Sequence, residues 1–209
     1  METVELVSIT PKAESQILYM ARVSSDQSND SVGLIKYLIR HKHWSPFELA
    51  HATFEINTSR TIAHQILRHR SFSFQEFSQR YASPNQTVKY NARNQAESNR
   101  QSSAENVDAE TQQWWRKVQE DIEALAFTSY GMALEKGIAR ECARFILPEA
   151  TETKMYMAGS IRSWIHYFEL RCDEHTQLEH RRLAMAMRAL LAEHLPTIKE
   201  ALWLAPEQK

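Results

Sequence analysis

Glycine is scarce in this chain: four occur in 209 residues. None forms the Gly-x-Gly-x-x-Gly spacing that opens a dinucleotide-binding βαβ unit, so a dinucleotide bound here must be held by side chains. Cysteine is scarcer still. Cys142 and Cys172 show neither zinc nor redox spacing, and both are expected to be reduced thiols. An excess of charge of one sign is also missing. A net charge of −1 argues against a general nucleic-acid binder, which is usually basic. No apolar run reaches the length of a membrane span. The opening Met-Glu-Thr-Val-Glu-Leu-Val lacks the basic-then-apolar order of a signal peptide. The expectation is a cytoplasmic protein without membrane or nucleic-acid partners. Hydrophobic residues at 43% and charged residues at 24% allow one packed domain over 1–209.

Lysine is absent from the segment Arg68–Tyr81, which instead holds three arginines, a histidine, a glutamate and three serines. Arginine suits planar, bidentate recognition of phosphate and carboxylate, and serine hydroxyls add neutral donors. The composition points to a phosphorylated ligand. A solvated helix end followed by a polar turn is the alternative from composition alone.

Thr3 to Ile9 alternates and predicts a strand, and Ile17, Leu18 and Ala21 follow at helical spacing after Pro11. Ser24 to Ser31 is polar and predicts a loop. Val32, Ile35, Leu38 and Ile39 predict a helix ending near His41. Pro46 disfavours helix at Ser45, so His41 to Glu48 is expected to be a turn. Ala52, Phe54 and Ile56 predict a strand. Thr58 or Ser59 can cap a helix whose apolar face is Ile62, Ala63, Ile66 and Leu67, with Gln65 and Arg68 on one face.

Ser83 to Gln113 is polar without apolar periodicity, which predicts a long mobile loop over 83–113, either folding over a ligand or forming a surface insertion. Trp114 onward is helical and plausibly ends at Gly137. A short helix over Ile138 to Leu147 stops at Pro148, and Thr151 to Gly159 is expected to be extended. Ser160 to Arg171 and Gln177 to His194 predict helices, and Pro196 opens a last one. The balance is α+β, helix-rich with a small mixed sheet.

Other residues could carry chemistry. Arg144 precedes Phe145-Ile-Leu-Pro148 and lies three residues after Glu141, its plausible ion-pair partner. Arg162 and His166 share a helix face, followed by Arg171, His175 and Gln177; these residues also fit a charged helix face. His41, His43 and His51 have poor spacing for zinc, and no metal is expected. A cysteine nucleophile is possible at Cys142 or Cys172, although buried or inert thiols are the common case.

Arg68-His69-Arg70, Ser73, Glu76, Ser78 and Arg80 resemble the signature of the flavin-dependent thymidylate synthases, Arg-His-Arg-x-x-Ser-x-x-x-x-Ser-x-Arg. Gln75 stands where Asn is usual. The Arg144 block and the stretch from Ser160 to Gln177 resemble that family too, with Ser160 in place of a frequent Asn. The resemblance implies the family's helix-rich fold and conversion of dUMP to dTMP. The one-carbon unit would come from 5,10-methylenetetrahydrofolate, and reducing equivalents from NADPH through FAD.

The resemblance also implies site residues. Gln65, Ile66, Leu67, Arg68, Glu76, Phe77, Ser78, Gln79, Arg80, Arg144 and Arg171 would bind dUMP, with backbone N–H groups near Phe77 and Gln79 on the phosphate. Ser45, Arg68, His69, Arg70, Glu76, Ser160, Ile161, Arg162 and His166 would bind FAD. Arg171 would be the catalytic residue at the pyrimidine. A homotetramer with sites shared between subunits is implied as well. Two other readings stay open on the residues themselves: an RNA- or nucleotide-binding module stacking bases on Trp114, Trp115 or Phe72, and a structural oligomerisation domain.

Overall fold

A computed structural model describes residues 2–23 and 32–204. The loop expected over Ser24 to Ser31 lies outside the described residues. The chain is α+β. Strands β1 (Thr3–Ile9), β2 (His51–Ser59), β6 (Glu152–Ser160) and β3 (Ser73–Glu76) are neighbours in that order in a four-stranded sheet. Alternation makes β2 a strand: Ala52, Phe54, Ile56 and Thr58 are buried while the residues between them are less so. Strand β3 lies inside the arginine-rich segment, where a polar turn was the plain reading. Its pattern is only half-buried on one face, which is a weak sequence signal.

Contact density divides the chain into two compact units, and β2, β3 and β6 each contribute residues to both. The first comprises Met1–Thr3, Asn57–Arg68 and Gln75–Met155. It contains α3 (Arg60–Ile66), the antiparallel hairpin β4 (Arg93–Gln95) and β5 (Ser103–Asn106), the long α4 (Ala109–Glu135) and the single turn α5 (Arg140–Ala143). Ser59 caps α3 by accepting from the Ile62 N–H at 3.4 Å. Asp108 caps α4 by accepting from Thr111 N–H at 2.8 Å, so the helix starts well before Trp114. Glu135 is its last residue and Gly137 follows at φ 80°, the left-handed position that glycine occupies freely.

The polar stretch 83–113 carries the hairpin and the first turn of α4. Amides of α4 hold it: Gln119 accepts from the Tyr90 N–H and donates to its carbonyl, both at 2.9 Å, and Gln112 accepts from Ala92 N–H at 3.0 Å. Polar side chains here replace the apolar contacts whose absence gave the sequence no periodicity.

The second unit comprises Val4–Ile56, His69–Phe74 and Tyr156–Lys209. It contains α1 (Ala13–Ala21), α2 (Val32–Arg40), a 3-10 turn at Ser45–Leu49, α6 (Ile161–Arg171), α7 (Leu178–His194) and the short α8 (Pro196–Ile198). Pro46 is accommodated in the first positions of the 3-10 turn, where a missing N–H leaves no bond unmade. Its core is aromatic. Trp164 is fully buried against Phe54 and Phe72, with ring centroids 4.9 and 4.7 Å away, and its indole N–H donates to Ala52 O at 3.1 Å. No helix among the described residues is long and apolar enough to cross a membrane.

Candidate active site

The first unit holds a cleft lined by Arg60, His64, Gln79, Arg144, Phe145 and Glu149, with a volume of about 310 Å³. Gln79 is 5% exposed, and its amide nitrogen is buried without a hydrogen-bond partner among the described residues. A buried donor without a partner is unfavourable by about 1–3 kcal/mol, so this amide is poised for an acceptor from outside the chain. Arg144 lies over its neighbour Phe145, 5.7 Å from the ring centroid. Its expected partner Glu141 instead meets Arg80, at 3.3 Å, with both side chains more than half exposed.

Glu76 accepts from Arg60 at 3.3 Å and from the Thr153 hydroxyl at 2.9 Å. The Ser78 hydroxyl accepts from Arg80 N–H at 3.3 Å. Phe77 N–H donates to Lys154 O at 2.8 Å. It extends the sheet pairing instead of facing an anion, which corrects the expectation of a phosphate donor at that atom. Ile66 is 0% exposed, a core side chain, while Leu67 is half-buried and forms the C-cap of α3; Gln65 is half-buried and Arg68 exposed just beyond the helix.

Of the residues expected at the flavin, the second unit contains Ser45, His69, Arg70, Ser160, Ile161, Arg162 and His166, of which Arg162 and His166 line its cleft. A cleft of about 310 Å³ is lined by Trp44, Glu48, Ser71, Arg162, Ser163, Ile165, His166 and Glu169. Glu48 organises it. One carboxylate oxygen accepts from Ser160 Oγ at 2.5 Å and the other from Arg162 Nη1 at 2.6 Å. The Ser160 hydroxyl foremost, with Arg162 adding to it, holds the Glu48 carboxyl below the usual carboxylate range against the opposing effect of burial. Ser160 also caps α6, accepting from Ser163 N–H at 3.2 Å. Arg162 is exposed on the first turn and Ile161 beside it is buried. His166 is exposed, 3.7 Å from Glu169. Ser45 and Arg70 are exposed.

Arg171, at the C-terminal end of α6, is half-buried and donates through Nε to His69 Nε2 at 2.8 Å. His69 must therefore be neutral, with its proton on Nδ1. Burial, and next the Arg171 charge, push its pKa down to about 4. The terminal nitrogens of Arg171 have no partner among the described residues. Cys142 is exposed, and burial pushes the Cys172 thiol up, away from the reactive thiolate.

Glu48, Ser163, Arg60 and His64 line these clefts and were not singled out from the sequence. Glu48 had a usable signal: it is the acid in the turn between His43 and His51. Ser163 had none, since isolated Ser is common everywhere, whereas Ser71 belongs to the arginine-rich segment whose serines were read as donors.

Comparison with known proteins fits this geometry. Residues 5–197 match the family described as thymidylate synthase complementing protein. The chain is 53% identical over 195 residues to the "Probable flavin-dependent thymidylate synthase" of Paramecium bursaria Chlorella virus 1, covering 91% of this chain and 90% of that protein. It is 50% identical over 191 residues to the "Flavin-dependent thymidylate synthase" of Synechocystis sp., covering 90% and 89%. Among solved structures it is similar to the UMP/dUMP methylase PolB from Streptomyces cacaoi bound with 5-Br dUMP. That likeness has a TM-score of 0.85 at 29% identity, over 96% of this chain and 94% of that one. With the arginine signature, the Glu48-centred cleft and the Arg171–His69 contact in place, this chain belongs to the flavin-dependent thymidylate synthase family.

Proposed function

We propose that this chain methylates dUMP to dTMP, with 5,10-methylenetetrahydrofolate as carbon donor and NADPH as reductant through FAD. The observation that carries the reading is Arg171. Its Nε is held by a neutral histidine while its two terminal nitrogens have no partner among the described residues. That fork can meet O4 and N3 of a uracil ring together. Uracil C5 is a weak nucleophile; loss of the N3 proton to solvent pushes electron density into the ring and leaves negative charge on N3 and O4 before C5 attacks. A preorganised guanidinium stabilises that charge without a covalent enzyme nucleophile, which accords with the unreactive placement of Cys172.

The remaining assignments are ours as well. Arg80, Arg144, Ser78 and Gln79 hold the nucleotide, with Gln65, Ile66, Leu67, Arg68, Glu76 and Phe77 around it. The partnerless Gln79 amide supports this. The residues of the Glu48 cleft fit a dinucleotide pyrophosphate: a guanidinium and an imidazole at its mouth, Arg162 and His166, and the Ser71 hydroxyl beside them. Arg70 adds a cation without a carboxylate partner among the described residues. We assign Arg162, His166, Ser160, Ile161, Ser45, Arg68, His69, Arg70 and Glu76 to the flavin. When bound, the flavin supplies the reducing equivalents; the residues orient it and neutralise its charge.

We also propose a cytoplasmic homotetramer folded as one functional domain, with sites shared between copies. Trp114, Ile122, Leu125 and Met132 of α4 are at least half exposed, and an apolar face of this kind favours burial against a partner. The test is dUMP-dependent NADPH oxidation with methylenetetrahydrofolate, read together with dTMP. Oxidation and dTMP in equal amounts are expected; a colourless protein that makes no dTMP overturns the reading.

A further inference from the structure

Two buried polar side chains of the second unit have no part in the assignments above. Tyr167 and His180 are both 0% exposed, in a core built mainly from aromatic and aliphatic groups, with Ser160, Ser163, Glu179 and Thr197 its other buried polar residues. A phenol and an imidazole in such a place are unfavourable unless they pair. They do: Tyr167 Oη lies 2.9 Å from His180 Nε2. Tyr167 comes from α6, four residues before Arg171 and so on the same helix face. His180 comes from the first turn of α7.

The pair reaches the reaction residues through one ring. His69 meets the Tyr167 ring edge to face, with centroids 4.8 Å apart and planes at 75°. Phe72 stands edge-on to His69 at 6.4 Å. Phe72 in turn occupies the space over Gly159, where an added Cβ would lie 2.4 Å from its ring. His69 thus packs against two aromatic rings that also touch each other, the Phe72 and Tyr167 centroids lying 5.8 Å apart. Its Nε2 is the acceptor for Arg171 Nε, at 2.8 Å.

We propose that Tyr167 and His180 are positioning residues: their buried hydrogen bond sets Tyr167 against the His69 ring, which orients His69 Nε2 toward Arg171 and so aims the two terminal nitrogens of Arg171. The inference rests on the reading of Arg171 as the group at the uracil ring. An arginine side chain has many rotamers, and misaimed donors lose rate steeply. Pinning Nε on an imidazole that packs against Tyr167 and Phe72 restricts that freedom. Burial, then Arg171, keep His180 neutral with its pKa near 3, so the pair carries no charge of its own into the core.

A double-mutant cycle separates this from a merely structural pair. Tyr167→Phe keeps the ring and removes only the hydroxyl. It should slow single-turnover dTMP formation at saturating dUMP by about tenfold, with flavin content unchanged, and in an Arg171→Ala background by no more than about twofold. His180→Gln, which keeps a partner for the phenol, should stay within about threefold of the parent, while His180→Leu should match Tyr167→Phe. Imidazole nitrogen NMR of the flavin-bound protein gives a readout apart from turnover. His69 should be the Nδ1–H tautomer in the parent and a mixture of tautomers in Tyr167→Phe.

Equal slowing by Tyr167→Phe in both backgrounds, or a His69 tautomer indifferent to Tyr167→Phe, overturns the positioning role alone. An Arg171→Ala protein that turns over at the parental rate overturns the reading of Arg171 and the positioning role with it. Should Tyr167→Phe fail to fold, the contrast between His180→Gln and His180→Leu decides: equal rates overturn the proposal.

Discussion

The two units use arginine in opposite ways. In the first unit Arg80 is more than half exposed and meets an equally exposed Glu141 at 3.3 Å. Water screens both charges, and such pairs stabilise a protein by about 0–1 kcal/mol. In the second unit Arg171 is half-buried, and its inner nitrogen is taken by a histidine that burial keeps neutral. A guanidinium with a neutral partner in a desolvated setting keeps its full field for whatever meets its outer edge. Exposed arginines of the first kind suit binding, because they exchange a weak carboxylate for a phosphate at little cost. The second kind suits charge that develops only during reaction.

The contrast is broken most directly at Arg171. Arg171→Ala should lower single-turnover dTMP formation at saturating dUMP by about 10²–10³, as for loss of a preorganised donor, with flavin content unchanged. Arg171→Lys should rescue only part, because it restores charge and not the fork. A parental rate in Arg171→Ala would put both arginines in the binding class.

Arg80→Ala should weaken dUMP binding by about 1.5–3 kcal/mol, the scale for a hydrogen bond to a charged group, while the single-turnover rate at saturation changes little. Calorimetric titration with dUMP reads the first quantity. An equal loss of flavin affinity would show that Arg80 does not serve the nucleotide alone.

The neutral histidines of the second unit sharpen the comparison through pH. The folded pKa values of His69 and His180, about 4 and about 3, lie below the unfolded value of 6.5. Between those limits the unfolded chain binds protons that the folded chain refuses. Stability is therefore fully present above pH 6.5 and falls as pH drops toward 4 and then 3. Thermal melts from pH 7.5 to pH 4 should show a declining Tm, and His180→Gln should flatten the decline. Identical slopes for the two proteins would remove His180 from the account.

The smallest effect is expected at Glu141. Glu141→Gln releases Arg80 from its surface pair and should tighten dUMP binding, by no more than about fivefold given what such pairs contribute. Weaker dUMP binding in Glu141→Gln would mean that the carboxylate orients Arg80 instead of competing for it.

Local order was readable along the chain. Alternation specified β1 and β2, the Ser59 cap and an apolar face specified α3, and Gly137 specified the end of α4. Period and capping are properties of neighbouring residues, so one chain suffices to see them. The start of α4 was missed because its first turn is polar and anchored by Asp108 rather than by an apolar stripe. The arginine signature likewise sits on adjacent residues, which is why the family was legible without coordinates.

Pairings across the chain were not legible. Glu141 was read as a partner for Arg144, three residues away, and the fold gives it to Arg80. Phe77 N–H was read as an anion donor and the sheet takes it for Lys154. Glu48 joins Ser160 and Arg162, and His69 joins Arg171, across more than a hundred positions each. Composition determined that this protein has few glycines and none of the dinucleotide-binding spacing, with its cations balanced by acids overall. Which cations stay exposed and which lie against a neutral ring depends on burial and on partners distant in the chain, and only the folded structure decides both.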